Sequence, residues 1–469
     1  MLPLRTNGVF GRTHACEVGQ GARSGDRAWH LRAALAWAMG ALLLLCTGVV
    51  EGADRKPNVI IILTDDQGIG DVGCFGASDI QTPNIDALAK RGVRFTNFYA
   101  AAPVCSPSRA ALLTGRYPWR AGVPGNVGHE TGSRGLPPEH RTIAEMLKEQ
   151  GYATAVIGKW HLGSGNGSEP NAQGFDHSFG HLSGCIDNYS HFFYWAGPNK
   201  HDLYRNGVEV HAPGQFFPDL QLKEAQNFMR ANRDRPFFIY YAANAPHYPY
   251  QGEPRWLERY KDLPYPRNLY AAFVSTMDER VGALMKTVDE LGLRNDTVVI
   301  FQADHGHSIE ERAHFGGGSS GGLRGAKFSL FEGGIKVPAI VSWPGKIPAG
   351  EERKAVAHGC DWFPTIAELC HAKAGDGLNG QSLMKVIRSA VAASRHEVLQ
   401  WRTGPAQQPQ WAVRKGPWKL LGNLPKSETG SDAANLLLVN LEDDPAETRN
   451  RSAEHPDIIR DLLALKPIE

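Results

Sequence analysis

The chain has no C-x-x-C pair, and only seven cysteines are scattered over its 469 residues. Such spacing excludes a thiolate zinc site, thioredoxin-like redox chemistry and a disulfide-framed small fold. An excess of charge is also missing, since Lys+Arg 50 against Asp+Glu 49 gives a net charge of +1. No global field argues for nucleic acid or an anionic membrane as partner, so an anionic ligand has to be met by local groups. Internal repeats and long low-complexity tracts are absent, which excludes a repeat array. The nearest approach is glycine-rich Phe315–Gly325, FGGGSSGGLRG, expected as a mobile or tightly turned loop. Nor does any apolar run reach the roughly 20 residues of a spanning helix. The run Ala33–Val50, AALAWAMGALLLLCTGVV, follows Arg23, Arg27 and Arg32, and residues 1–53 read as a secretory signal in preference to a retained anchor. Export follows, to the periplasm or outside the cell, or to a lysosome in a eukaryote, with no stable membrane association. Cys16 and Cys46 leave with that segment. The remaining Cys74, Cys105, Cys185, Cys360 and Cys370 are odd in number, so at least one thiol stays unpaired.

What is present is ordinary globular material, 42% hydrophobic and 21% charged, long enough for a large core. Five unalternating apolar runs have strand length: Asn58–Thr64, Thr154–Gly158, Pro236–Ala243, Thr297–Ala303 and Val337–Trp343. Runs of this kind suit strands covered on both faces. Helical patterns lie between them. Thr142 caps one that buries Ile143, Met146 and Leu147, and Val281, Leu284, Met285, Val288 and Leu291 stripe a longer one. The alternation predicts an α/β fold, a large mostly parallel sheet flanked by helices, over residues 54–385. A smaller antiparallel-sheet subdomain is expected over residues 386–469, with strands in Trp411–Leu421 and Asn435–Pro445 and a helix near Pro456–Leu465.

Polar residues collect just after the strand-like runs. Asp65 and Asp66 follow the first, Lys159 and His161 the second, His247 the third, and Asp304 and His305 the fourth. In an open parallel sheet the carboxyl ends of strands share one edge, where ligands bind. Singly, each acid reads as a cap or turn residue and each histidine as a packed or surface one. Together they are harder to dismiss, because the contiguous carboxylates Asp65 and Asp66 repel unless a cation or several donors stand between them. Oxygen ligands suit Ca²⁺ or, less well, Mg²⁺.

Cys105 opens the segment VCSPSRAALLTGR. Pro107 suits a first helical turn, which places the thiol at a helix N-terminus beside Arg109, where backbone N–H groups favour an anion. A buried small hydrophobe and an activated thiolate are the alternatives at this point. With CSPSRAALLTGR taken alongside LTDDQG, GKWHLG, APHYP, ADHG, RGAKFSLFEGG and NLEDDPAETRN in that order, the chain resembles the formylglycine-dependent sulfatases of the alkaline phosphatase superfamily from about Lys56 onward.

The resemblance implies that a dedicated maturation enzyme oxidises Cys105 to formylglycine, whose hydrate supplies the nucleophile. It implies Ca²⁺ held by Asp65, Asp66, Asp304 and the modified Cys105, with His305 as a further ligand where many relatives carry asparagine. Arg109 would hold and help ionise the hydrate, Lys159 and Lys327 would grip the sulfate oxygens, His247 would protonate the leaving oxygen, and His161 would be the base. The aromatic segment Gly184–Trp195 falls near the substrate mouth by the same resemblance. The expected activity is hydrolysis of a sulfate ester, of a carbohydrate in preference to a simple phenol. The alternatives are a phosphate or phosphonate monoester hydrolase, and a catalytically silent glycan-binding relative.

Overall fold

β1 (Asn58–Thr64) is buried along its whole length and forms the centre of the fold. In this computed structural model, which describes residues 56–195, 199–424 and 436–467, it pairs in parallel with two strands distant in sequence. The signal segment read over residues 1–53 lies outside the described residues. In chain order the other strands of the large sheet are β2 (Gly92–Phe95), β3 (Ala153–Gly158), β4 (His177–Gly180), β5 (Tyr204–Arg205), β6 (Val208–Glu209), β7 (Phe237–Ala242), β8 (Thr297–Ala303), β9 (Ala339–Ser342) and β10 (Glu351–Arg353). Their spatial order is β10-β2-β9-β8-β1-β7-β3-β4-β5-β6. The block β8-β1-β7-β3-β4 is parallel, while β9 joins β8 and β2 in the antiparallel sense.

Register fixes where the chemistry can occur. Thr64 stands opposite Ala303, Leu63 opposite Ala242, and Ala242 opposite Gly158, so four strands end level with one another. The residues that follow them therefore emerge at one edge.

Helices cover both faces, as alternate residues of buried strands require. Ile61 and Leu63 belong to one apolar cluster with α2 (Cys105–Thr114), α3 (Ile143–Lys148) and α6 (Trp362–Leu369). Ile60 and Ile62 belong to the other, with α1 (Pro83–Lys90), α4 (Phe217–Ala231) and the long α5 (Arg267–Glu290). The cap at Thr142 is a reciprocal box: its hydroxyl accepts from Glu145 N–H at 3.1 Å, and its own N–H donates to Glu145 Oε2 at 2.7 Å.

The C-terminal sheet holds four antiparallel strands, β11 (Val398–Thr403), β12 (Gln410–Lys415), β13 (Trp418–Gly422) and β14 (Leu436–Asn440), with α7 (Pro456–Leu463) packed on it. Trp411–Leu421 is thus a hairpin and not one strand, turned at Gly416, whose φ of 58° suits glycine. Trp401 Nε1 donates to the Ala100 carbonyl, and Lys419 bridges Glu332 and Glu447 at 2.9 Å each, so this sheet grips the segment just after Lys327. Phe315–Gly325 is tightly turned, pinned where Ser319 N–H donates to Asp71 Oδ2. No helix among the described residues is long and apolar enough to cross a membrane.

Candidate active site

Cys105 is the first residue of α2, entered through an extended Val104. Its side chain is buried, yet its neighbours are polar: Sγ lies 3.3 Å from His305 Nε2 and 3.7 Å from Asp65 Oδ1. Burial pushes the thiol upward, but Lys159 and Lys327 more than compensate and bring it down to about 6. An ordinary packed cysteine has no such surroundings.

The acids come from the ends of β1 and β8. Asp65 accepts from Lys159 Nζ at 2.6 Å and stands 3.4 Å from Arg109. Burial opposes its ionisation, but Lys159 and Arg109 hold the carboxyl well below the usual range. Asp66 faces Lys327 Nζ at 3.0 Å through one oxygen, while its buried Oδ1 has no hydrogen-bond partner. Burial prevails there and raises Asp66 to about 8 against the pull of Lys327 and His305. Asp304 binds Arg109 at 2.8 Å, accepts from Asp66 N–H at 3.2 Å, and is raised by burial to about 6.

His305 aims one ring nitrogen, Nε2, into this group. Its Nδ1 faces the Gly306 carbonyl at 2.9 Å, which fixes the tautomer and leaves Nε2 toward Cys105, Asp66 Oδ1 at 3.4 Å and Asp304 Oδ1 at 3.5 Å. Despite burial, Asp304 and Cys105 raise this ring to about 9. The same negative field would draw in a divalent ion. Asp65, Asp66, Cys105 and His305 can each point one ligand atom within 4.8 Å of the others. Asp304 stands beside that group and not inside it, with one oxygen committed to Arg109. The donor set, two carboxylates and an imidazole around an unpartnered oxygen, fits a metal.

Asp66 and His161 both hold left-handed backbone, with φ of 58° and 53°. Non-glycine residues adopt this conformation at a cost that recurs at functional sites. His161 turns its Nε2 to the Val127 carbonyl at 3.2 Å, its buried Nδ1 has no hydrogen-bond partner, and burial with Lys159 and Arg109 nearby keeps it well below its ordinary value. His247 turns Nδ1 to the Tyr248 carbonyl at 2.7 Å and Nε2 to Lys327 Nζ at 3.4 Å. Burial holds it neutral as well.

Sequence reasoning does not single out Glu310 or Tyr248. Glu310 pairs with Lys327 at 3.0 Å and accepts from Tyr248 OH and Ser308 OH, both at 3.0 Å. The one available signal is an acid five positions beyond His305 on the same loop. Gly184–Trp195 buries Cys185, Ile186, Asn188 and His191 but leaves the rings of Tyr189, Phe192 and Tyr194 exposed; in its turn Asp187 accepts from the N–H groups of Tyr189 and Ser190, and Asn188 bonds Gln251. It reaches the centre through Trp195, whose ring meets Tyr248 edge-on at 5.1 Å.

Comparison with known proteins identifies relatives over most of the chain. The family model described as Sulfatase matches residues 57–372, and one described as N-sulphoglucosamine sulphohydrolase, C-terminal, matches residues 326–463. The chain is 33% identical over 473 residues to arylsulfatase A of Bos taurus, covering 92% of this chain and 91% of that one. It is 31% identical over 505 residues to N-acetylgalactosamine-6-O-sulfatase of Bacteroides thetaiotaomicron, covering 91% and 96%. The crystal structure of Ps i-CgsB in complex with k-i-k-neocarrahexaose superposes with a TM-score of 0.79 at 31% identity, over 88% of this chain and 92% of that one. With a helix-start cysteine held among acids and lysines at the edge of a parallel sheet, the chain belongs to the sulfatase family of the alkaline phosphatase superfamily and is a sulfuric ester hydrolase.

Proposed function

We propose that this enzyme removes sulfate from a sulfated carbohydrate, with residue 105 as formylglycine and one Ca²⁺ in the acid cluster. The observation that carries the reading is the position of Cys105 Sγ, 3.7 Å from Asp65 Oδ1 and 3.3 Å from His305 Nε2, in a cluster whose acids Asp65 and Asp66 pair with buried Lys159 and Lys327. Formylglycine, installed by a maturation enzyme, would supply as its hydrate the hydroxyl that attacks sulfur. The metal, held by Asp65, Asp66, His305 and residue 105, with Asp304 joining through Oδ1, the oxygen not bound to Arg109, would supply positive charge toward the sulfate oxygens and favour ionisation of that hydroxyl.

The remaining work falls to side chains of this chain. Arg109 fixes Asp304 and lends charge to residue 105 from the next turn of α2. Lys159 pairs with Asp65 and Lys327 with Asp66, which brings two ammonium groups to the cluster around Cys105, where they would grip the sulfate oxygens. Preorganised cations of this kind stabilise charge as it shifts in the transition state. His247, its Nδ1–H engaged by the Tyr248 carbonyl and its Nε2 facing Lys327 Nζ at 3.4 Å, would take a proton from solvent at Nε2 and pass it to the leaving alcohol, while Lys327 keeps its ammonium. We assign His161, neutral with a free Nδ1, the role of base.

For the carbohydrate, support comes from a cleft of about 620 Å³ lined by Val104 and Phe328, the chain neighbours of Cys105 and Lys327, and by loops of the C-terminal sheet. Its lining offers neutral amides, Asn126, Gln408, Gln410 and Asn423, with exposed Phe328 at the mouth. Amides suit sugar hydroxyls and an aromatic face suits a pyranose ring. Of the relatives, one is named for N-acetylgalactosamine-6-O-sulfate hydrolysis and one structural neighbour holds a neocarrahexaose.

Sulfate release from matured, Ca²⁺-replete enzyme on defined sulfated oligosaccharides, beside an aryl sulfate, tests both parts. Carbohydrate esters should show the higher kcat/KM; turnover of the aryl ester alone would overturn the carbohydrate assignment. In the same panel His247→Ala should lose about 10²–10⁴-fold on sugar esters, whose alcohols leave poorly, and far less on the aryl ester. Equal losses on both would remove the proton-donor role.

Charge selects sulfate over phosphate. Asp65, Asp66, Asp304 and Glu310 face Arg109, Lys159 and Lys327, a formal balance of one negative that a divalent ion turns into one positive. That suits a monoanionic sulfate ester better than a dianionic phosphate. Glu310→Gln is therefore expected to raise the phosphate-to-sulfate rate ratio about tenfold or more, the worth of one partly screened charge. Matched aryl phosphate and aryl sulfate rates read it directly, and an unchanged ratio refutes it.

A further inference from the structure

A second group of metal-ligating side chains lies where the large sheet's helices meet the C-terminal sheet, and it shares no residue with the catalytic cluster. His358 and Asp361 bracket the tight turn before α6, and His396 stands just before β11. Asp361 Oδ1 is 2.8 Å from His396 Nε2 and 3.5 Å from His358 Nε2, and the three ligating atoms lie within 4.8 Å of one another. In a tetrahedral zinc site with bonds of about 2.0–2.1 Å, ligand atoms stand roughly 3.3 Å apart.

The independent sign of a ligand is His358. It is 1% exposed, yet neither of its ring nitrogens has a hydrogen-bond partner, a condition buried polar groups rarely tolerate. Burial keeps the ring neutral, with its pKa lowered to about 4 although Asp361 is beside it. Neutral imidazole is the ligating form. The surroundings are already fixed: Tyr117 stacks on His358 at 5.5 Å, and Asp361 accepts backbone N–H groups from His358 at 2.9 Å and Gln381 at 2.8 Å. By contrast His201, Glu209 and His211, which also come together, present two largely exposed side chains and no orphaned buried nitrogen.

We propose that His358, Asp361 and His396 bind one zinc ion, with water in the fourth position, clasping the turn before α6 to the strand that opens the C-terminal sheet. Two imidazoles and a carboxylate are borderline donors that favour zinc over calcium. In the bound form the ring proton of His396 lies on Nδ1, so that Nε2, which faces Asp361 Oδ1 at 2.8 Å without the ion, turns its lone pair to the metal. Tyr117 follows α2, and Cys360 in the same turn packs with Ala111 of that helix, so the clasp would brace the helix carrying Cys105.

The test uses the full chain with His211→Ala to impair the surface group and excess Ca²⁺ to fill the catalytic one. After chelator treatment, zinc is measured by equilibrium dialysis and Co²⁺ by its visible tetrahedral absorption. The parent should take up one more equivalent of zinc than His396→Gln, gain the cobalt band, and melt higher with zinc. His396→Gln can still donate an N–H to Asp361 but cannot complete the ligand set, so its apo melting point should stay near the parent's while the zinc shift vanishes. Equal zinc uptake by the two proteins, or a cobalt band that persists in His396→Gln, overturns the proposal. Zinc-edge anomalous scattering from wild-type crystals grown with zinc gives a readout that needs no variant: a peak between His358 Nε2 and His396 Nε2 is required, and its absence is equally fatal.

Discussion

Cys105→Ala is expected to lower kcat by about 10⁶-fold, the scale seen when an activated nucleophile is lost, while leaving the melting temperature near that of the parent. The thiol contributes little packing that alanine lacks, and the ionic cluster around it is anchored by other residues: Lys159 to Asp65, Arg109 to Asp304 and Lys327 to Asp66. Fold and function should therefore separate cleanly at this position. Cys105→Ser is the sharper variant. Its hydroxyl can attack once, but the resulting ester has no second geminal hydroxyl with which to expel sulfate, so at most one equivalent of alcohol should be released. Mass spectrometry of the peptide containing residue 105, from a host with the maturation enzyme, should find an aldehyde in the parent. A free thiol there, together with full activity in Cys105→Ala, would falsify the assignment.

Much of this site is legible in the sequence because parallel strands convert position along the chain into position in space. Asp65, Lys159, His247 and Asp304 each follow a run of strand length, and level strand ends bring them to one edge. What was illegible has the opposite character. β11, VLQWRT, alternates buried and half-exposed residues and lacks the unbroken apolar run that marks the central strands. The hairpin in Trp411–Leu421 turns on Gly416-Pro417, too short an interruption to divide the segment by eye. Antiparallel β9 reads as a strand but carries no local mark of its direction. Glu310 and Tyr248 sit on loops, where no periodicity relates them to Lys327. His358 and His396 come together only through the path between the sheets, 38 positions apart.

The other large effect is expected at Lys159. Lys159 Nζ and Asp65 Oδ2 are 2.6 Å apart with neither side chain exposed, so Lys159→Met leaves a buried carboxylate whose nearest remaining cation is Arg109 at 3.4 Å. Breaking a buried pair from one side costs about 3–5 kcal/mol, because the stranded charge is not rehydrated. Asp65 is also one of the acids assigned to Ca²⁺, and a cation bound there would compensate it. Calcium at 100 times its Kd should return about 2.7 kcal/mol of the lost stability. Turnover should behave differently. If Lys159 grips a sulfate oxygen in the transition state, no ion at the acid cluster replaces that donor, and kcat stays about 10²–10³-fold down in saturating Ca²⁺. Thermal melting and steady-state rates on one preparation, with and without Ca²⁺, make the division. Recovery of stability without recovery of kcat is the expected result, whereas joint recovery of both would reduce Lys159 to a counterion for Asp65.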